Sequence, residues 1–276
     1  MKSPLSLLLS VLSGLAISLP LSAATSTPAV TVEAVQMPAW VERDGGRRTP
    51  VYAGMEVRNR DQLRTGANSR LLLRTADGSS VKLGENAVFS LDDLPLRPGN
   101  VFTASMNVLE GAFRFTTDSL SRFRGKRDVR IALPMVTTGI RGTDLWGKSA
   151  PDRQVICLIE GIIEIRPQGE PGIVMDQPLQ FYVRDKGKSL PVAAVDPNQL
   201  RQWAMETDIA PGRGAARRGG RWKVTLATVD TQADALKLYD DVRAAGYPAE
   251  ILPGTAEGGR VYALRLTRLP SRAEAE

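Results

Sequence analysis

Cys157 and the adjacent acid pairs Asp92-Asp93 and Asp240-Asp241 are the side chains whose types could begin a reaction. Cys157 sits inside the apolar run Val155-Ile156-Cys157-Leu158-Ile159, where a small core residue is expected rather than a nucleophile. Neighbouring acids on a strand or a helix point away from each other, and no second element marks a facing carboxylate, so neither pair reads as an acid with its base. The sequence contains no histidine, which removes the usual acid–base group at neutral pH and a common metal ligand together. The expectation is a non-enzyme with no catalytic residue, no metal site and no cofactor. A single cysteine also precludes an internal disulfide.

The elements that carry these residues begin with an export signal. Met1-Lys2, an apolar run over 5–19, Pro20, and then Ser22-Ala23-Ala24 follow the order of a secretory signal peptide, with cleavage expected after Ala24. The run is shorter than a membrane span needs and is diluted by serines and Gly14, so no transmembrane span is expected after cleavage. A periplasmic location follows, and it disfavours nucleic acid as a partner despite the formal net charge of +6. That charge is concentrated. Arg213, Arg217, Arg218, Arg221 and Lys223 occur without an acid, and a second cluster, Arg122, Arg124, Lys126, Arg127 and Arg130, reads as a solvated loop between strands.

Residues 30–195 read as strand and turn throughout. Asp77-Gly78 lies between the apolar runs 69–75 and 79–83, a strong hairpin signal because glycine accepts positive φ. Short strands are expected at 88–91, 106–109, 112–116, 129–133, 145–147, 155–159 and 162–165, with no helical periodicity between them. Leu63-Arg64-Thr65-Gly66-Ala67-Asn68-Ser69-Arg70, preceded by Gly54 and Asp61, then Asp77-Gly78-Ser79 and Leu83-Gly84, resembles the first half of a FecR domain. Leu109-Glu110-Gly111, Leu133-Pro134, Thr138-Gly139-Ile140-Arg141-Gly142-Thr143 and Ile159-Glu160-Gly161 resemble the second half, in family order. The resemblance implies an extracytoplasmic, mainly β unit, built as a β-roll or short β-helix. Well-known members relay envelope signals to a sigma-factor regulator, but they carry a cytoplasmic region and a membrane helix that this sequence replaces with a signal peptide. In the 138–143 block the glycines permit a tight backbone path, and Arg141 offers a fork of donors for carbonyls or a carboxylate, which reads as a structural part, with a ligand anion as the alternative.

Beyond this unit, Asp196-Pro197 opens a short helix over 196–208, and the Gly- and Arg-rich stretch 209–221 reads as a flexible linker. Residues 222–276 show a different rhythm. Trp222, Val224 and Leu226 alternate with polar residues, Thr231 opens a helix that Gly246 can close, and two further strands give a βαββ order. Together with Gly246-Tyr247 and Tyr262-Ala263-Leu264-Arg265-Leu266, this α+β, ferredoxin-like module resembles a SPOR domain. Residues 271–276 resemble the opening of its second helix, so the module reads as truncated before the fourth strand.

The SPOR resemblance implies binding of peptidoglycan glycan strands, notably those stripped of stem peptides, on the open face of the sheet. Carried over by position, Thr225 stands where the family has glutamine, Thr228 where it has a small hydroxyl residue, and Arg265 lies on the third strand. Hydroxyls and a guanidinium suit sugar oxygens. The expected function is therefore an envelope binding protein, attached to peptidoglycan through this module, with the FecR domain as the unit that meets a ligand or an unidentified envelope protein. The alternative is a signalling or assembly adaptor without glycan binding.

Overall fold

The computed structural model describes residues 30–43, 46–93, 101–118, 126–256 and 259–276. The expected signal peptide, 1–24, lies outside the described residues, as do Arg122, Arg124 and the side chain of Arg141. In chain order the strands of the first unit are β1 (Val30–Gln36), β2 (Ala39–Arg43), β3 (Arg47–Pro50), β4 (Glu56–Val57), β5 (Gln62–Thr65), β6 (Arg70–Thr75), β7 (Ser80–Leu83) and β8 (Val88–Asp93). They continue as β9 (Val101–Thr116), β10 (Lys126–Leu133), β11 (Val136–Ser149), β12 (Arg153–Pro167), β13 (Ile173–Met175), β14 (Gln180–Asp185), β15 (Lys188–Ser189) and β16 (Ala193–Ala194). Helix α1 (Pro197–Met205) and β17 (Ala215–Arg217) lead to β18 (Trp222–Val229), α2 (Gln232–Ala244), β19 (Glu250–Ala256) and β20 (Gly259–Leu269).

The first unit is mainly β and is rolled into two layers by three long strands that belong to both. The C-terminal half of β9 pairs with β7 and with residues 144–149 of β11, whose partner in turn is the N-terminal half of β12. This layer continues through β6, β1 and β17 on one side and through β14 on the other. The opposite halves of the same strands join β8, β10 and β13 in the second layer, with β5, β2 and β3 beyond β8. The β9–β10 pairing is parallel, with Lys126 opposite Val101, and the other pairings of the roll are antiparallel.

The short strands expected at 106–109 and 112–116 are thus one strand that changes layers at Gly111, and those at 155–159 and 162–165 are one strand that turns at Gly161. Both glycines adopt positive φ, +90° and +95°. A Cβ on Gly111 would lie 2.6 Å from the Ala87 backbone, and one on Gly161 only 2.3 Å from the Gly142 carbonyl oxygen. Without a side chain the strands can bend and stay close, which a Cβ would forbid. Between the layers, Leu71, Leu83, Phe115 and Leu158 from one meet Leu63, Phe89, Met106 and Ile131 from the other, all buried. Apolar side chains at alternate positions of both inner faces are the source of this core.

Helix α1 covers part of the outer face. Asp196 caps it by accepting from the Asn198 and Gln199 amides, and the Trp203 ring stacks on Trp146 with centroids 4.7 Å apart. Cys157 is buried in this second apolar cluster.

The C-terminal module is a three-stranded antiparallel sheet in the order β18–β20–β19, with α2 on one face. Ala249, Leu264 and Leu266 form its core with Leu238, Tyr239 and Val242 of the helix. Two segments differ from the sequence expectation. The stretch 209–221 is not free chain over its length: β17 pairs with β1, Ala216 opposite Val35, and Ala215 and Ala216 are buried. Two small apolar residues between arginines can enter a sheet edge while the charges remain outside, a pattern that composition alone conceals. Residues 271–276 form a turn instead of opening a helix. The Glu274 carboxylate accepts from the backbone amides of Gly212, Arg213 and Ala215 at 2.9–3.1 Å, which ties this turn to the 209–221 stretch.

Candidate functional site

The motif residues of the roll meet one another rather than a common pocket. Asp77, at the tip of the β6–β7 hairpin, accepts from the Thr75 and Ser79 hydroxyls at 2.5 and 2.7 Å and from Arg127 Nε at 2.7 Å. Burial pushes its carboxyl pKa up, but these donors hold it below the usual carboxylate range. Arg127, expected in a solvated cluster, is thereby anchored to a fully buried acid. Asp61 accepts from Arg43 and from the Arg58 amide. Thr65 donates to the Gly84 carbonyl and accepts from the Ala87 amide, and Thr143 donates to the Ile162 carbonyl. Each of these side chains satisfies turn backbone that would otherwise be buried without partners. Arg141 lies in β11, beside the corner where Gly142 meets Gly161.

Cys157 offers no chemistry. Burial, helped by the charge of Asp144, pushes its thiol up to about 12, so the nucleophilic thiolate is scarce at neutral pH.

The open face of the C-terminal sheet is different in kind. On β20, Leu264 and Leu266 point into the α2 core, so Arg265 between them lies on the opposite face. The register places Thr225 opposite Arg265 on one side and Glu250 opposite it on the other, giving a cross-strand row Thr225–Arg265–Glu250. One step along, Thr228, Ala263 and Leu252 form a second row on the same face. Thr225 and Thr228 are exposed, and Leu252 is 43% exposed. The three residues expected from sequence thus share one surface, with Arg265 and Thr225 as direct neighbours.

Arg265 shares one feature with Arg64 and Arg184 of the roll. Its Nε is buried and has no hydrogen-bond partner among the described residues. Donors left in this state are uncommon because each costs its desolvation without a compensating bond. Glu250 and Leu252 were not apparent as members of this face from the sequence. Their link to Arg265 and Thr228 depends on the β19–β20 register, and the Gly-rich turn between those strands does not fix it.

With this geometry in view, comparison with known families identifies two kinds of unit. Residues 61–164 match the family model described as FecR protein, and residues 219–276 match the model described as SPOR domain. The chain carries a FecR domain followed by a SPOR domain. Among solved structures it is similar to two crystal structures, at 1.65 and 2.50 Å, of a candidate anti-sigma factor from Parabacteroides distasonis. Each has 13% identity and a TM-score of 0.41, over 67% of this chain and 75% of that one. No curated protein matches. Among the described residues no helix is long and apolar enough to cross a membrane.

Proposed function

We propose that this is a non-enzymatic protein of the periplasm that associates with peptidoglycan through the open face of its SPOR domain, while the FecR domain meets a ligand or envelope partner. In this reading the parts are a cleaved signal over 1–24, a FecR unit over 30–195, a short helix over 196–208, a strap over 209–221 and the SPOR module over 222–276. The observation that carries it is Arg265, whose buried Nε lacks a partner on a face that also offers the Thr225 and Thr228 hydroxyls. A glycan strand supplies the complementary groups: ring and acetamido oxygens to accept from the guanidinium, and hydroxyls to exchange hydrogen bonds with the threonines. Leu252 gives the apolar side of a sugar ring something to rest on. Removing stem peptides by amide hydrolysis also uncovers a carboxylate on the glycan, which a guanidinium prefers to a neutral oxygen.

The test is co-sedimentation with purified sacculi, intact and stripped of stem peptides. The native protein should pellet, more with stripped sacculi, and Arg265→Ala should weaken binding about tenfold, the worth of a charged hydrogen bond. Thr225→Val should weaken it less. Equal pelleting of the native protein and Arg265→Ala, or none by either, would refute the reading and favour an adaptor that binds protein alone.

A further inference from the structure

The cations that the sequence gathers around the strap are held in one place by the fold. β17 pairs with β1, and the Gly220 amide donates to the Arg217 carbonyl at 3.0 Å, so Arg217, Arg218 and Arg221 stand around a single tight turn. The Arg218 amide fastens that turn to the Glu33 carbonyl of β1 at 2.9 Å. On its other side the turn packs on β20 so closely that a Cβ on Gly220 would collide with the Arg268 carbonyl. The three turn arginines and Lys223 are exposed, and none of the four has a carboxylate partner among the described residues. Of the acids beside the strap, Glu274 is taken up by three backbone amides, and Glu33 forms no ion pair among the described residues.

Like charges crowded without an acid between them repel, and a turn fixed to two strands cannot relieve that repulsion by spreading as a free chain would. An anionic partner can. Trp222 indicates which kind: it opens β18 between Arg221 and Lys223, and it is 48% exposed. An indole with its apolar body uncovered among cations suits a membrane surface, where the ring settles at headgroup level while the cations meet lipid phosphates. A hydrated soluble polyanion would leave that apolar area in water. The geometry points to a peripheral membrane contact: Arg217, Arg218, Arg221, Trp222 and Lys223 dock the protein on an anionic phospholipid surface. These residues are separate from the Thr225, Thr228 and Arg265 of the open face, so the inference goes beyond the peptidoglycan reading and does not rest on it.

Co-sedimentation of the purified protein with vesicles tests it, using phosphatidylcholine alone and an equimolar mixture with phosphatidylglycerol. Binding is expected to the mixed vesicles and not to the neutral ones. It should fall steeply as salt rises from about 0.1 M to about 1 M, which shortens the Debye length from about 10 Å to about 3 Å. Arg217→Gln, Arg218→Gln and Arg221→Gln together should weaken binding about a hundredfold, about fivefold for each charge, with the native melting temperature because none of the three is ion-paired. Trp222→Ala should weaken it about tenfold, the worth of covering half an indole. Arg130→Gln, Arg153→Gln and Arg166→Gln together remove the same charge from exposed pairs on β10 and β12 and should change binding by less than about twofold. The idea is overturned by no binding to mixed vesicles, or by equal losses in the two triple variants, which would leave net charge as the cause. Vesicle binding that Trp222→Ala leaves unchanged overturns it too and assigns the patch to a soluble polyanion. Arg265→Ala should bind vesicles as the native protein does, so failure here and failure of glycan binding are read independently.

Discussion

At the scale of single residues, Asp77 holds the tip of the β6–β7 hairpin. It is fully buried and its charge is met by two hydroxyls and a guanidinium, an arrangement in which removing one partner costs more than the pair contributes when intact. Asp77→Ala should therefore destabilise the protein by about 3 kcal/mol at neutral pH, read as a lower urea midpoint. The pH dependence follows from the direction of its shift. Because folding lowers this pKa, the unfolded chain binds the proton more readily. The stabilisation is complete above the ordinary carboxylate range, about pH 4, and fades as pH falls through the lowered folded value. The gap between native and Asp77→Ala midpoints should narrow below about pH 4 and stay constant above about pH 5. The sequence made Asp77 legible as a turn residue, since Asp-Gly between apolar runs is a local signal. Its partner Arg127 was not legible, because fifty residues of chain separate them.

At the scale of elements, the motif glycines explain how short sequence runs become a rolled sheet. Alternation in the sequence revealed the strands on either side of Gly111 and Gly161, but alternation cannot distinguish two strands joined by a turn from one strand bent at a corner. Positive φ and the lack of room for a Cβ decide for the corner. Gly161→Ala would drive a methyl into the Gly142 carbonyl and strain the backbone as well. A loss of about 3 kcal/mol is expected, above the cost of an ordinary glycine-to-alanine change at positive φ because of the added clash. Gly254→Ala, in β19 with only an ordinary 3.7 Å contact to Val261, serves as the control and should change the melting temperature little. If both substitutions cost the same, the corner is not rigid. In the C-terminal module, alternation and the α2 signals made the open face readable from Thr225, Thr228 and Arg265. The strap escaped notice because Ala215 and Ala216 carry too little hydrophobic signal to outweigh the glycines and arginines around them.

At the scale of the whole molecule, the two domains are joined by contacts of three kinds, and these determine whether they unfold together. β17 extends the roll's sheet from the C-terminal side, and Leu269 at the end of β20 is buried in the roll's own core. The Trp40 ring closes on the end of α2, so near Gly246 that a Cβ there would lie 2.6 Å from the indole. Trp40 Nε1 also donates to the Ala244 carbonyl at 3.2 Å, and the Ala39 amide donates to the Gly246 carbonyl at 3.3 Å. The clamp is half-buried, so its truncation to alanine should cost about 2 kcal/mol, below the range for a core aromatic, and that loss falls on the coupling that makes the small module unfold with its neighbour. The native protein should melt in one calorimetric transition. Trp40→Ala should split it, with the SPOR domain, which has only a small core of its own, leaving first. A single unshifted transition would show that the strap and Leu269 suffice and that the indole adds little. The clamp grips the helix end and leaves Thr225, Thr228 and Leu252 exposed, so docking and glycan binding use different surfaces. Below its first transition, Trp40→Ala should therefore still pellet with stripped sacculi.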